Sequence, residues 1–425
     1  MSSRAACRQK TKFETLEDQQ MHVTRTTERT ESSQPGIPDH VPPELVRAFD
    51  FRTDLGSYPH STVSELHSGP RIFFSPIHHN AIPGPGTWVP TRAEDIRAVL
   101  QDAATFSSAV SRSNSSLRLI PLEMDPPEHS KFRAIMNPIF SPARMKTLEE
   151  KVRNRAKELV AACYAKGACD FVEDFAKPFP VGIFLDMMGL PMDNMGRFME
   201  WEALIMRDKF TRAGAMQQVA AYLQELVEDR RKSPTDDLIS FAVTAKVDGR
   251  PLTDAEVTGM CVLLFIAGLD TVTSSFSYHF RHLAENPADQ DSLRHDFSLI
   301  PTAVEELFRA FAVVNTNRYA TRDVELAGVL IKKGDNVTCS TILASRDPRE
   351  FENPNKVQLT RSPNPHNAFA YGPHRCLGSH LARREIITGI EEWLTQVPPF
   401  KVKPGAEIVT HGGGVFSMES LPLIW

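Results

Sequence analysis

Apolar residues recur three and four positions apart in six segments, 91–101, 141–165, 217–231, 253–285, 300–311 and 381–395. That spacing gathers them on one face of a helix, which folding must bury. The segment 253–285 stands apart by its length. Thr253-Asp-Ala-Glu256 has the spacing of a capping box at its start, and Asn286-Pro287 is a stop signal at its end. A helix of roughly 33 residues would run about 50 Å at 1.5 Å per residue, unusual for a globular domain. Short strand-like runs bounded by turn residues fall at 71–75, 324–326, 329–331 and 336–339, the last after the turn Lys332-Lys333-Gly334-Asp335. The expected class is mainly α with small β-sheets (α+β). Residues 1–34 are charged and rich in Thr and Ser, and read as a disordered N-terminal extension in which Met21 is an alternative start. No fixed-period repeat is visible.

One stretch carries distinctive chemistry: Phe369-Ala-Tyr-Gly372-Pro-His374-Arg375-Cys376-Leu-Gly378, followed by the helix-like run that begins Ser379-His-Leu-Ala. A thiol just before a helix N-terminus faces unpaired N–H groups and the positive end of the helix dipole, and both favour the thiolate. Gly372 and Gly378 are free to take positive φ and admit a flat ligand close to the backbone. Phe369 packs beside the sulfur and excludes water. A lone cysteine is ordinarily a buried, inert core residue, but a thiolate held in this loop is a suitable axial ligand for haem iron. The pattern Phe-x-x-Gly-x-His-x-Cys-x-Gly resembles the cytochrome P-450 family, in which a cysteine thiolate holds the haem iron. A haem-free alternative, Cys376 with His374 as a nucleophilic dyad, lacks a third orienting residue.

Three further stretches resemble the same family. The first is Ala267-Gly268-Leu269-Asp270-Thr271, within the long helical segment. By resemblance, Ala267 and Gly268 leave room for a planar group and its O2, while Asp270 and Thr271 relay protons. Next comes Glu306-Leu-Phe-Arg309, two residues that share a helix face and form a structural pair. The last set binds the haem carboxylates, which need fixed cationic donors. His129 and Arg133, four apart on one helix, Arg318 and His374 fill that role by resemblance. The likeness runs from about residue 35 to 425 and is nearest the bacterial camphor hydroxylase group. It implies one large haem-binding domain over 35–425, with haem b (iron protoporphyrin IX) as cofactor.

Charge and cysteine content sharpen the picture. The net charge of −5 argues against a nucleic-acid partner. Six cysteines occur with no C-x-x-C pair, consistent with free thiols in a reducing cytoplasm. The apolar stretch before Asp270 is too short by itself to span a bilayer, and the N-terminus lacks an apolar signal core, so no membrane association is expected.

The resemblance implies a haem-thiolate monooxygenase, monomeric and cytoplasmic, that hydroxylates a small hydrophobic substrate with O2. Carried-over pocket positions are Leu117, Leu119, Leu263, Ile266, Ala267, Val313, Val314, Val415 and Phe416, all apolar. They suggest a compact terpenoid or norisoprenoid. Leu117 stands where the camphor hydroxylase has a tyrosine hydroxyl that anchors a ketone, which makes camphor itself a poor candidate. Phe416 replaces a smaller side chain there and is expected to reshape the cavity. The chain has no flavin, Fe–S or G-x-G-x-x-G motif, so electrons come from a partner. The family implies a 2Fe–2S ferredoxin with an NAD(P)H-dependent reductase, which Lys131, Arg133 and Arg375 would steer. A haem-thiolate sensor without turnover, a peroxygenase and a redox-neutral haem isomerase are the alternatives. The Asp270–Thr271 pair, idle in the last two, argues against them.

Overall fold

The computed structural model describes residues 36–53, 55–77, 84–109, 117–207 and 209–425, without the side chains of 206–210. The N-terminal extension, with Met21, lies outside the described residues. Among these, residues 36–425 belong to one compact unit. Its helices in chain order are α1 (Pro59–Ser64), α2 (Ala93–Gln101), α3 (Glu128–Met136), α4 (Pro142–Tyr164), α5 (Pro178–Met188), α6 (Met195–Arg207) and α7 (Lys209–Lys232). They continue with α8 (Leu238–Thr244), α9 (Asp254–Glu285), α10 (Pro287–His295), α11 (Ile300–Ala310), α12 (Thr341–Ser345) and α13 (Ser379–Gln396).

The long helix is α9, and its start is the capping box. Thr253 Oγ1 accepts from Glu256 N at 3.2 Å, and Glu256 Oε2 accepts from Thr253 N at 2.8 Å. At the other end Pro287 opens α10, where its missing N–H is no loss. The helix joins two cores. Val257 to Leu269 pack with Phe184, Phe198, Trp201 and Leu223. From Val272 onward it packs with Phe171, Phe175 and Trp393, with the Phe171 and Phe280 rings stacked 4.0 Å apart. The junction between the cores falls at residues 267–271. Taken whole, α9 is long and apolar enough to cross a membrane, at a mean hydropathy of 1.7 over its best window, a test the shorter stretch before Asp270 does not reveal. Two-thirds of that window (67%) is buried inside the fold, which accounts for its apolar character.

Among the described residues, seven helices, α1, α3, α5, α6, α8, α10 and α12, lie outside the six periodic segments. Helix α5 has no polar face, because it is enclosed almost throughout, and Pro178 and Pro180 sit in its first turn. It ends at Gly189, φ 64°, where a Cβ would stand 2.5 Å from the Asp237 carboxylate. Helix α6 carries Phe198, Trp201 and Ile205 into the second core.

The largest sheet has strands in the order Ile72–Ser75, Thr87–Pro90, Asn336–Ser340, Asn315–Ala320, Phe106–Ser107. Val337 pairs in parallel with Trp88, and Thr338 antiparallel with Asn317. Val324–Leu326 and Val329–Ile331 form a hairpin around Ala327-Gly328. The strand 315–320 is the one that matters for the site, since it carries Arg318 inward.

Candidate active site

The middle of α9 breaks its own burial pattern. Ala267 and Gly268 are exposed, with Leu269 and Asp270 beside them buried. The nearest atom to a Cβ on Gly268 would be Phe184 Cδ2, 4.0 Å away. Small exposed residues between two cores, in an otherwise enclosed helix, mark the wall of an open cleft. Thr271 is partly exposed there, and its hydroxyl donates to Ala267 O at 2.9 Å, leaving the oxygen's lone pairs available. Asp270 points away into protein. Its Oδ2 has no partner among the described residues, and burial pushes its carboxyl up to about 6 against the pull of Lys177.

Cys376 lies two residues ahead of Gly378, the residue that caps α13. Its N–H donates to Phe369 O at 2.9 Å, and Arg375 N donates to Gly372 O at 3.0 Å, which closes the loop on itself. Gly372 has φ +70°, and a Cβ there would meet Leu100 O at 2.3 Å, so glycine is required. Gly378 differs from expectation: its φ is −80°, an ordinary value. What its missing side chain provides is space, since nothing lies within 4 Å of a Cβ built there.

The sulfur also departs from the simple helix-dipole argument. Cys376 is exposed by area, yet the protein surrounds it closely enough that burial is the largest influence and pushes its thiol up. The Gly378 backbone N–H, Arg133, Arg375 and Arg383 pull it down by less. A residue both exposed and desolvated faces an internal void. A metal ion bound at such a site would favour the thiolate where the helix end alone does not. Phe369 stands between the Phe308 ring at 4.8 Å and the Arg383 guanidinium at 4.4 Å. Arg383 is held by Glu305, Nη2 to Oε2 2.8 Å.

A second group of residues converges beside this loop. The His129 and His374 rings are 4.1 Å apart between centroids. Neither nitrogen of His129, nor Nε2 of His374, has a hydrogen-bond partner among the described residues. Burial lowers His129 to about 4 and His374 to about 3, with Arg133 and Arg318 repelling both, so both imidazoles are neutral. Arg318 is buried, with Nη1 bonded to Thr316 Oγ1 and Asn317 O, and burial lowers its pKa and that of Arg133. Neither arginine makes an ion pair with any described residue. The nearby acid, Asp125, is occupied by the Ser107 hydroxyl and by Ser108 N at 2.9 Å. Two desolvated cations and two imidazoles with orphaned nitrogens are a poor arrangement alone and a good one around two carboxylates. With a thiol on one wall and Ala267-Gly268 on α9, these residues fit a haem b.

The predicted Glu306–Arg309 pair is fully buried, Nε to Oε2 2.7 Å and Nη2 to Oε1 2.9 Å. Sequence spacing does not reveal its third member, Arg361, whose Nε lies 2.9 Å from Glu306 Oε2. Fifty-five residues separate them, and no local pattern links them.

The predicted pocket positions divide. Leu117, Leu119, Leu263, Ile266, Val314 and Val415 are partly exposed, and Val314 and Val415 bridge each other. Val313 is buried, and Phe416 is wholly enclosed near Phe51 and His60. Phe416 therefore offers no surface to a void and shapes the cleft only from behind, its N–H donating to Val313 O at 2.8 Å. Gly259, not singled out from sequence, lets the 117–119 loop settle on α9, since a Cβ there would stand 2.2 Å from Arg118 O.

Fold and site together define a haem-thiolate oxygenase. Comparison with known proteins agrees. The cytochrome P-450 family model matches residues 181–404. A cytochrome P-450 designated 127A1 from Sinorhizobium fredii is 45% identical over 403 residues, covering 92% of this chain and 97% of that protein. The crystal structure of CYP101J2 superposes with a TM-score of 0.84 at 33% identity, covering 92% of this chain and 99% of that one. Mycobacterium marinum CYP268A2, solved in complex with pseudoionone, gives a TM-score of 0.79 at 31% identity over 86% of this chain and 94% of that one. The chain belongs to the cytochrome P-450 family; it is a monooxygenase that uses haem b.

Proposed function

We propose that this enzyme hydroxylates a small hydrophobic terpenoid or norisoprenoid with electrons from a 2Fe–2S ferredoxin and its NAD(P)H-dependent reductase. The observation that carries the substrate class is the set of partly exposed apolar side chains at the pocket positions. Leu117, Leu119, Ile266, Val314 and Val415 supply hydrocarbon surface and no hydroxyl. The pseudoionone bound to CYP268A2 is of the same chemical kind. When bound, the haem supplies reduction of O2 and insertion of one oxygen atom into a C–H bond. Cys376 would hold the iron, flanked by Phe369 and the open space at Gly378. Arg133, Arg318, His129 and His374 would bind the propionates. On α9, Asp270, whose carboxyl burial raises to about 6, takes up a proton and Thr271 passes it towards the cleft. A buried acid with an unpartnered oxygen on this helix favours turnover over a silent sensor.

The three cations expected to steer the ferredoxin are not equivalent. Lys131 Nζ pairs with Asp248 at 2.6 Å, and Arg133 belongs to the propionate group. Arg375 is exposed with no ion pair to a described residue, and is the cation best placed to meet an acidic partner. The unpaired thiols Cys163, Cys169, Cys261 and Cys339 suit a monomer in a reducing cytoplasm.

The test is a spin-shift titration of the ferric Soret band with camphor, its carbonyl-free hydrocarbon analogue and a larger norisoprenoid ketone. The larger ketone should bind tightest, camphor and the hydrocarbon should differ little, and Leu117→Tyr should improve camphor. Tightest binding of camphor, with strong discrimination against the hydrocarbon, would mean that another residue anchors the ketone. In the same preparation, Cys376→Ser should lose the red-shifted Soret band of the reduced carbonyl complex.

A further inference from the structure

Helix α6 brings a second buried acid against the back of α9. Glu202 is 9% exposed and makes no hydrogen bond or ion pair with any described residue. The charged groups that face it are Asp270 from α9, and Lys177 and Glu173 from the turn ahead of α5. Lys177 is already paired with Glu173, whose side chain is half exposed at 50%. Asp270 is 8% exposed, and its Oδ2 is likewise unpartnered. Two carboxyls with no partner among the described residues thus lie between a solvent-facing ion pair and the helix turn that opens on the cleft. Sequence alone does not single out Glu202, because on α6 it is one more acid in an amphipathic helix.

We infer that Glu202 is the acid that reloads Asp270, the inner stage of a carboxyl-to-carboxyl proton route from the surface at Glu173 and Lys177 to the cleft at Thr271. This rests on the reading of Asp270 and Thr271 as the proton-delivering pair. The transfer is balanced within the chain. The O–H bond at Glu202 breaks as one forms at Asp270, Glu202 is left as a carboxylate, and it takes its next proton from solvent beside the Lys177–Glu173 pair. No electron moves.

The electrostatics support the geometry. Burial, reinforced by the like charge of Asp270, raises Glu202 to about 8, while Asp270 stands at about 6. Like-charged carboxyls in one buried space titrate as a pair, so near neutral pH one proton is stored on Glu202, and it crosses to Asp270 only as Asp270's own proton is drawn into the cleft.

The first test needs no haem. Infrared spectra of the purified protein at pH 7 should show buried protonated carboxyls that titrate near pH 8, Glu385 among them, and the difference spectrum against Glu202→Gln, an isosteric change, should isolate one that is lost. The second is the ratio of product to NADH consumed against pH. In Glu202→Gln the alkaline fall of that ratio should move from near pH 8 towards pH 6, and at pH 8 the ratio should drop several-fold. Glu202→Asp should restore part of it. An unchanged infrared spectrum, or an unmoved pH profile while Asp270→Asn uncouples, overturns the role of Glu202 alone. Full coupling in Asp270→Asn as well removes the relay reading, and this inference with it.

Discussion

Replacing Glu306 with Gln should unseat the Cys376 loop without touching it. Glu306 accepts five hydrogen bonds: two from Arg309, one from Arg361, one from Asn364 Nδ2 at 3.2 Å and one from Gln358 N at 2.8 Å. Both partners of the Glu306–Arg309 pair are 0% exposed, and Arg361 is 7% exposed. Gln keeps the shape but removes the charge and turns a donor NH2 towards donors. Two guanidinium groups are then left in the interior without a counter-charge. Breaking a buried pair in this way costs roughly 3–5 kcal/mol, against about 5–15 kcal/mol for the stability of a whole domain. The effect should reach Cys376 through the backbone. Arg309 donates to Ser345 O, Pro354 O and Lys356 O, and Ser345 Oγ accepts from Asn367 N at 3.1 Å. Ala370 N then donates to Asn367 O, and Cys376 N to Phe369 O, each at 2.9 Å. Urea unfolding of the holoenzyme should show the loss of stability, and the reduced carbonyl spectrum should show thiolate ligation giving way to a thiol. Arg309→Lys keeps the charge but not the fork, and should lose less. A loss below about 1 kcal/mol for Glu306→Gln, the level of a surface pair, would refute the reasoning.

Thr271→Ala should keep consuming NADH but release more peroxide and less product; an unchanged product-to-NADH ratio would exclude proton delivery by Thr271. Arg318→Leu should act with opposite sign on the two forms of the protein. The apo-protein gains stability, because a desolvated cation is removed, while haem retention weakens by at least about tenfold, the equivalent of a charged hydrogen bond of roughly 1.5–3 kcal/mol. Glu385 is buried, which raises its carboxyl from 4.5 to about 8. Between those values the folded state holds a proton that the unfolded state has released, so stability falls as pH rises, by up to about 1.4 kcal/mol per pH unit. Glu385→Gln should flatten that slope in urea titrations run from pH 5 to pH 8, and an unchanged slope would place the titration elsewhere.

Much of this protein is legible along the chain because its signals are local. A capping box acts over four residues, and the predicted start at Thr253 holds in its hydrogen bonds. The cysteine loop is legible for the same reason: its closing bonds, from Phe369 to Cys376, lie within eight positions. Local pattern fails where burial surrounds an element on every side. Helix α5 has no polar face to reveal it, and the apolar run in α9 is explained by two cores meeting at 267–271. Phe416 is apolar and in the right segment, yet packing places it behind the wall and not on it.

Charge is where tertiary structure decides most. The sequence names Glu306 and Arg309 because they share a helix turn. Arg361 joins them only through the folded chain, from 55 residues away. Cys376 precedes a helix, a local fact that favours a thiolate, yet enclosure by distant segments outweighs it. His129, Arg133, Arg318 and His374 are visible as motif positions, but their mutual repulsion and lack of counter-charge exist only once α3, a strand and the cysteine loop are brought together. Glu202 is invisible until α6 lies against α9. Hydrogen-bonding pattern and periodicity are properties of neighbours in sequence, and so are written in it. Desolvation and Coulomb interaction depend on neighbours in space, and only the fold supplies those.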